Sequence, residues 1–155
     1  MNERRLCFVA AFCLLGFTTH AIGRQGNWVA SGGFGMSFSP SLVLFSPQLE
    51  YVHKDDLFVG PLLQVAPGVT GVLFTASATV RKILGGHPNV KPCLEAGVGI
   101  AMLGSSPGVL VHAGMGFDYV VDKQISIGTV VRADFAPPAS TFFVTWPILV
   151  GRFAL

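Results

Sequence analysis

Hydrophobic and polar residues alternate along most of this chain, with a repeat of two positions. In the segment 27–38, the residues of one parity are mainly aromatic or aliphatic, and those of the other parity are small or polar. The more hydrophobic parity consists of Trp28, Ala30, Gly32, Phe34, Met36 and Phe38. A two-residue repeat is typical of a β-strand with one apolar face. The pattern therefore predicts an all-β fold.

Clusters of Gly, Pro, Ser, Asn and Asp divide the chain into eight such segments, because these residues favour turns. The predicted strands are 27–38, 42–53, 56–66, 71–82, 90–103, 108–121, 124–136 and 142–154. Strands of roughly ten residues have the length that a tilted strand needs to cross a membrane. The segments therefore predict an eight-stranded, antiparallel, up-and-down transmembrane β-barrel.

One strand–turn–strand unit occurs twice, at 50–60 and at 118–128. Each copy begins with an acid, Tyr and Val, continues through a charged turn and ends in Gly. The two tyrosines of the protein, Tyr51 and Tyr119, occupy the same place in the two copies. Tyrosine is enriched where a membrane protein meets the water boundary. The repeat therefore favours a barrel with its charged turns at one membrane surface.

The composition excludes two classes of protein. The chain is 51% hydrophobic and 12% charged, with a formal net charge of +2. It is too apolar for disorder and lacks the clustered Lys and Arg of a nucleic-acid-binding protein, so no nucleic-acid partner is predicted. A soluble β-sandwich would carry more charge on its wet face.

Helical membrane spans are one alternative to a barrel. The stretches 57–80 and 96–117 contain no charged residue and would pass a hydropathy test. However, Gly and Pro interrupt both stretches near their centres, and they would break a helix there. A helical membrane protein and a soluble secreted β-fold remain the alternatives.

The N-terminus has the features of a signal peptide. Arg4 and Arg5 precede an apolar run at 6–17, and small residues flank His20 at a possible cleavage site after Ala21. The run is short for a membrane anchor. We therefore predict a cleaved signal peptide at 1–21 and an exported barrel domain at 22–155.

Several segments of the chain resemble the superfamily of small outer-membrane β-barrels that includes the OmpA-like transmembrane domain and the OmpW- and OmpX-like barrels. The segments that carry the resemblance are 47–51 with 57–60, 91–99, 114–119 with 125–128, and 150–153. The resemblance implies a Gram-negative outer membrane, with both termini in the periplasm. It also implies two partners, outer-membrane lipid and the barrel-insertion machinery.

The end of the chain departs from the pattern of that superfamily, whose members usually end in an aromatic residue. Here Phe153 is third from the end, and its parity opposes that of the lipid-facing residues Phe142 and Trp146. A β-bulge near Pro147 would restore the parity, because proline cannot donate a ladder hydrogen bond. We therefore predict a bulge at this point.

The inward parity collects most of the charged residues of the predicted strands. The predicted lumen charge network is Glu50, Arg81, Lys91, Glu95, His112, Asp118, Arg132 and Asp134, accompanied by Gln48 and Gln64. Charges enclosed in a barrel must pair, since an unpaired buried charge is strongly unfavourable. Eight strands leave an interior that side chains fill. The pattern predicts a lumen closed by ion pairs.

Four aromatic residues are predicted to anchor the barrel at the membrane interfaces. Trp28, Tyr51 and Tyr119 lie near the charged turns, and Trp146 is expected toward the opposite rim.

The predicted function is structural, in the integrity of the cell envelope. The alternatives are a channel for small solutes or hydrophobic compounds and, third, a lipid-modifying enzyme. A catalytic triad needs a hydroxyl within reach of the base, and His112 has no nearby Ser on its own strand. No catalytic residue, metal site or cofactor is therefore predicted, and the ligand and oligomeric state are left open.

Overall fold

The computed structural model describes residues 26–39, 41–54, 56–68, 71–85, 87–104, 106–137 and 141–155. Within them, eight antiparallel strands form one closed barrel in chain order. The strands are β1 (Trp28–Phe38), β2 (Leu42–Lys54), β3 (Leu57–Gly68), β4 (Gly71–Ile83), β5 (Val90–Leu103), β6 (Ser106–Val120), β7 (Ile125–Ala136) and β8 (Thr141–Ala154). The predicted signal peptide at 1–21 lies outside the described residues.

The predicted fold class is confirmed, and every predicted strand is present. The largest differences in bounds are two residues, at the end of β3 and at the start of β6. No helix long and apolar enough to cross a membrane occurs in the described part of the chain. The stretches that could have been helical spans, 57–80 and 96–117, lie mainly in β3, β4, β5 and β6 instead.

The exterior of the barrel is apolar because each strand turns its hydrophobic parity outward. In β6, Val109, Met115 and Phe117 are between 50% and 67% exposed, whereas Leu110 and His112 between them are buried. The other strands follow the same alternation, except where β8 breaks it at Ile148 and Leu149. A continuous apolar surface of this extent marks a lipid or protein contact rather than a water-exposed face.

The two ends of the barrel differ in charge. One end of the barrel holds the start of β1 at Trp28, the end of β8 at Ala154 and the β2–β3, β4–β5 and β6–β7 turns. We call this end the charged end and the opposite end the uncharged end. The turns at the uncharged end consist of Ser, Pro, Val, Thr, Gly and Ala. The Asp, Lys and His residues described outside the lumen all lie at the charged end: His53, Lys54, Asp56, Lys82, His87, Asp122 and Lys123.

Strand β8 contains a bulge beside Pro147. On its β1 side, Phe34 pairs with Leu149, whereas Met36, two residues further, pairs with Trp146. One extra residue of β8 is therefore accommodated between these pairs. The register with β7 shifts over the same part of β8. The predicted bulge near Pro147 is thus confirmed.

The bulge reverses the parity of the last part of the chain. Ile148 and Leu149 are consecutive and both exposed, at 47% and 57%. Phe153 consequently faces outward, with 52% of its surface exposed, and Arg152 is fully buried in the interior. The bulge therefore places an aromatic residue on the apolar exterior near the chain terminus.

A charge placed on the middle of the exterior should destabilise the barrel in lipid. Val98 lies mid-strand in β5 and is 60% exposed. We expect Val98→Arg to lower the free energy of unfolding by about 2–4 kcal/mol, because arginine would lie near the bilayer midplane. Val121→Arg, at the charged end, should cost about 0–1 kcal/mol. Urea-induced unfolding from lipid vesicles measures both, and equally small effects would contradict a lipid-facing exterior.

Candidate functional site

The barrel interior is the candidate site, because it holds most of the charged side chains of the strands. All eight residues of the predicted charge network face inward and are 3% exposed or less. The structure adds Arg152, which is fully buried. Among the described residues, the buried Arg, Lys, Glu and Asp side chains are therefore four bases, Arg81, Lys91, Arg132 and Arg152, and four acids, Glu50, Glu95, Asp118 and Asp134.

Arg81 organises the layer of charges nearer to the charged end. Its Nε donates to Glu50 Oε1 and its Nη2 to Glu50 Oε2, both at 2.7 Å, and its Nη1 donates to Asp118 Oδ2 at 3.0 Å. The guanidinium carbon lies 4.3 Å from the centre of the Phe58 ring. A bidentate pair with a ring against the guanidinium fixes the side chain in one orientation.

Arg152 completes this layer and is the residue that sequence reasoning missed. Its Nη1 donates to Asp118 Oδ1, and its Nε lies 4.0 Å from Glu50 Oε2. Asp118 therefore bridges Arg81 and Arg152. The signal was present in the sequence: a bulge that turns Phe153 outward must turn Arg152 inward.

A second layer lies deeper in the barrel around Glu95. Arg132 donates to Glu95 from Nε at 2.6 Å and from Nη2 at 3.3 Å. His112 Nε2 lies 3.6 Å from Glu95 Oε1. Gly97, the cross-strand partner of His112, leaves room for this ring, since a Cβ there would lie 2.6 Å from Nε2.

Uncharged groups extend the network toward the uncharged end. Thr145 Oγ1 donates to Asp134 Oδ2 at 2.8 Å and accepts from Gln64 Nε2 at 3.0 Å. Gln64 Oε1 in turn accepts from Thr75 Oγ1 at 2.8 Å. Gln48 likewise links Glu50 to Thr79 beside the Arg81 layer. Polar contacts thus run through much of the barrel's length.

Buried apolar side chains accompany the polar layers on both sides. The cluster near the uncharged end is Leu44, Ala66, Leu73, Ala101, Leu110, Ala136 and Phe143. The second cluster, nearer to the charged end, is Val29, Val52, Phe58, Ile83, Cys93 and Val130. Sequence reasoning expected the inward parity to be small or polar, and it missed these clusters because each strand contributes only one or two of their members.

A small cavity lies beside the Arg81 layer. Its volume is about 10 Å³, which is roughly the space for one water molecule. Its lining consists of Val29, Phe58, Arg81, Ile83, Lys91, Asp118 and Arg152.

The predicted interface aromatics occupy two different levels. Trp28 and Tyr51 pack edge to face at the charged end, with ring centres 5.4 Å apart, and Tyr119 lies at the same end, 49% exposed. Trp146 is the sixth residue of β8, away from the strand end, and its indole N–H donates to Thr129 Oγ1 at 2.9 Å. Their role as membrane anchors stays a prediction.

The surroundings of His112 bear on the questions of metal ligation and catalysis. No group of three or more His, Cys, Asp or Glu side chains in the described ranges is arranged to hold a metal ion. Neither ring nitrogen of His112 has a hydrogen-bond partner among the described side chains. The acid nearest to His112 in the network, Glu95, is bonded to Arg132.

Comparison with known proteins gives matches at the level of structure. No protein-family model matches the sequence, and no curated protein does. The N-terminal β-barrel domain of Pseudomonas aeruginosa OprF superposes with a TM-score of 0.66 at 14% identity, over 84% of this chain and 98% of that one.

Two further structures are similar. A de novo designed transmembrane β-barrel gives a TM-score of 0.58 at 15% identity, over 85% of this chain and 98% of that one. Neisserial surface protein A gives a TM-score of 0.57 at 18% identity, over 83% of this chain and 93% of that one. With its closed eight-stranded sheet and apolar exterior, the chain has the fold of the small outer-membrane β-barrels.

Proposed function

We propose that this protein is an outer-membrane barrel with a structural role in the cell envelope, and that its lumen is closed. The observation that carries the proposal is the pairing of the buried charges, with Arg81 held by both Glu50 and Asp118. The apolar exterior and the fold support residence in a membrane, and the predicted signal peptide supports export.

The closed lumen follows from the energetics of the charge pairs. A solute crossing the barrel would have to separate Arg81 from Glu50, or Arg132 from Glu95, and each separation leaves charges buried without a partner. Such a state is unfavourable by several kcal/mol. Apolar side chains also occupy the interior near both ends. Passage of ions through this interior is therefore disfavoured.

The proposed orientation places the charged end and both termini in the periplasm. Trp28, Tyr51 and Tyr119 then lie at the periplasmic interface, where aromatic residues with a polar group are favoured. Phe153, outward-facing near the end of β8, would be available to the barrel-insertion machinery.

Conductance in planar lipid bilayers tests the closed lumen. We expect the wild-type protein to give no ion current above the bilayer background, and Arg81→Ala and Glu95→Ala to introduce current by removing a partner from each layer. The matched control is Lys82→Ala, since the Lys82 side chain is about half exposed beside Asp56. This variant should give no ion current above background. A steady wild-type current would favour the channel alternative.

The structural role makes a separate prediction in cells. A strain without the protein should become more permeable to large antibiotics and detergents, and both the wild-type protein and His112→Ala should restore the barrier. Mass spectra of lipid A should be the same in all of these strains. A lipid A change that requires His112 would instead favour the enzyme alternative.

A further inference from the structure

The two charged layers of the lumen have opposite imbalances. The layer nearer to the charged end contains three cations, Arg81, Lys91 and Arg152, and two carboxylates, Glu50 and Asp118. The deeper groups are one cation, Arg132, and two carboxylates, Glu95 and Asp134. The layer at the charged end therefore carries one positive charge more than its own carboxylates balance.

Lys91 is the source of this excess. It is the second residue of β5 and is 3% exposed. Its cross-strand neighbour is Asp118, but both carboxylate oxygens of Asp118 already accept from Arg81 and Arg152. No described carboxylate forms an ion pair with the Lys91 ammonium. The side chain is buried, but its Nζ is not among the enclosed atoms that lack a partner, so the ammonium reaches solvent and its donors are free to bind an anion.

Arg152 lines the same cavity as Lys91 and has donors without a hydrogen-bond partner. Its Nη1 is bonded to Asp118, but neither its Nε nor its Nη2 has a hydrogen-bond partner among the described residues. Arg152 is fully buried, and both it and Lys91 line the small cavity beside Arg81. Two cationic side chains with free donors thus meet at one space of about 10 Å³.

We propose that this cavity binds one small monovalent anion of the size of chloride, as the counter-ion of Lys91 and Arg152. The volume is roughly that of one water molecule, so it suits a monatomic anion better than phosphate, sulfate or a carboxylate ligand. One negative charge neutralises the excess of the layer. The apolar walls, Val29, Phe58 and Ile83, suit a halide, which is more weakly hydrated than a divalent anion.

The nearby carboxylates limit the charge of the ligand. Asp118 lines the cavity, and Glu50 lies next to it in the layer. Each is already paired with arginine, so a single negative charge beside Lys91 is tolerated. A doubly charged anion would meet greater repulsion from these two groups.

Bromide provides the direct test, since it replaces chloride and can be located by its anomalous scattering. Crystals of the purified protein grown with bromide should show one anomalous peak in the cavity, within contact distance of both Lys91 Nζ and the Arg152 guanidinium. Peaks confined to exposed lysines, or no peak, would overturn the proposal.

Stability in different salts provides an independent test that needs no crystal. At equal ionic strength, chloride should raise the unfolding temperature of the detergent-solubilised protein relative to gluconate, which is too large for the cavity. Lys91→Met should lose this difference, and the control Lys82→Met should retain it. A chloride effect equal in all three proteins would contradict a specific site. The crystallographic result decides the matter if Lys91→Met does not fold.

Discussion

Replacement of Arg81 by methionine is expected to destabilise the barrel by about 3–5 kcal/mol, since it leaves buried carboxylates without their partner. Arg81 makes three hydrogen bonds to Glu50 and Asp118, and all three side chains are 2% exposed or less. Methionine keeps much of the side-chain volume but none of the donors. Equilibrium unfolding in urea, from lipid vesicles, measures the change.

The next residue in the chain provides the matched control. Lys82 follows Arg81 in strand β4 and faces outward. Its ion pair with Asp56 joins side chains that are 49% and 41% exposed. An exposed pair of this kind contributes at most about 1 kcal/mol. Lys82→Met should therefore change stability little. Similar losses in the two variants would mean that the buried network does not stabilise the barrel.

Gly35→Ala is expected to prevent normal closure of the barrel. A Cβ at Gly35 would overlap the carbonyl oxygen of Trp146 and lie 2.6 Å from Pro147 Cα, both in the bulge of β8. These are backbone atoms, which cannot move aside as a flexible side chain can. The strain should reach or exceed the upper end of ordinary overpacking, about 3 kcal/mol.

Gly32, in the same strand, is the control for this substitution. A Cβ at Gly32 would meet no heavy atom within 4 Å. Gly32→Ala should therefore fold with wild-type efficiency. The measurement is the fraction of protein that migrates as the folded form on a gel without boiling. Equal folded fractions for the two alanine variants would contradict the close approach of β1 to the bulge.

The strands and their facing could be predicted from the sequence because a barrel imposes a strict repeat of two. Each inward residue borders a crowded interior and each outward residue borders lipid, so parity alone sorted Glu50, Arg81 and Asp118 to one side. The bulge at Pro147 was predictable for the same reason. Phe153 and Trp146 could share the exterior only if one residue between them broke the repeat.

The partners within the lumen could not be predicted in the same way. Parity tells whether a side chain faces the lumen or the lipid. It does not give the position of that side chain along the barrel axis relative to residues of distant strands, because this position depends on the register of every intervening strand pair. Arg81 and Asp118 lie on β4 and β6, so their contact depends on two registers.

The central claim is that β1 and β8 pair to close the barrel, and nuclear Overhauser contacts between these strands test it most directly. In lipid nanodiscs, we expect cross-strand contacts between Val29 and Ala154, between Gly32 and Gly151, and between Met36 and Trp146, the last of these beyond the bulge. Contacts across the other seven strand pairs without any between β1 and β8, or helical chemical shifts in 57–80, would contradict the closed barrel.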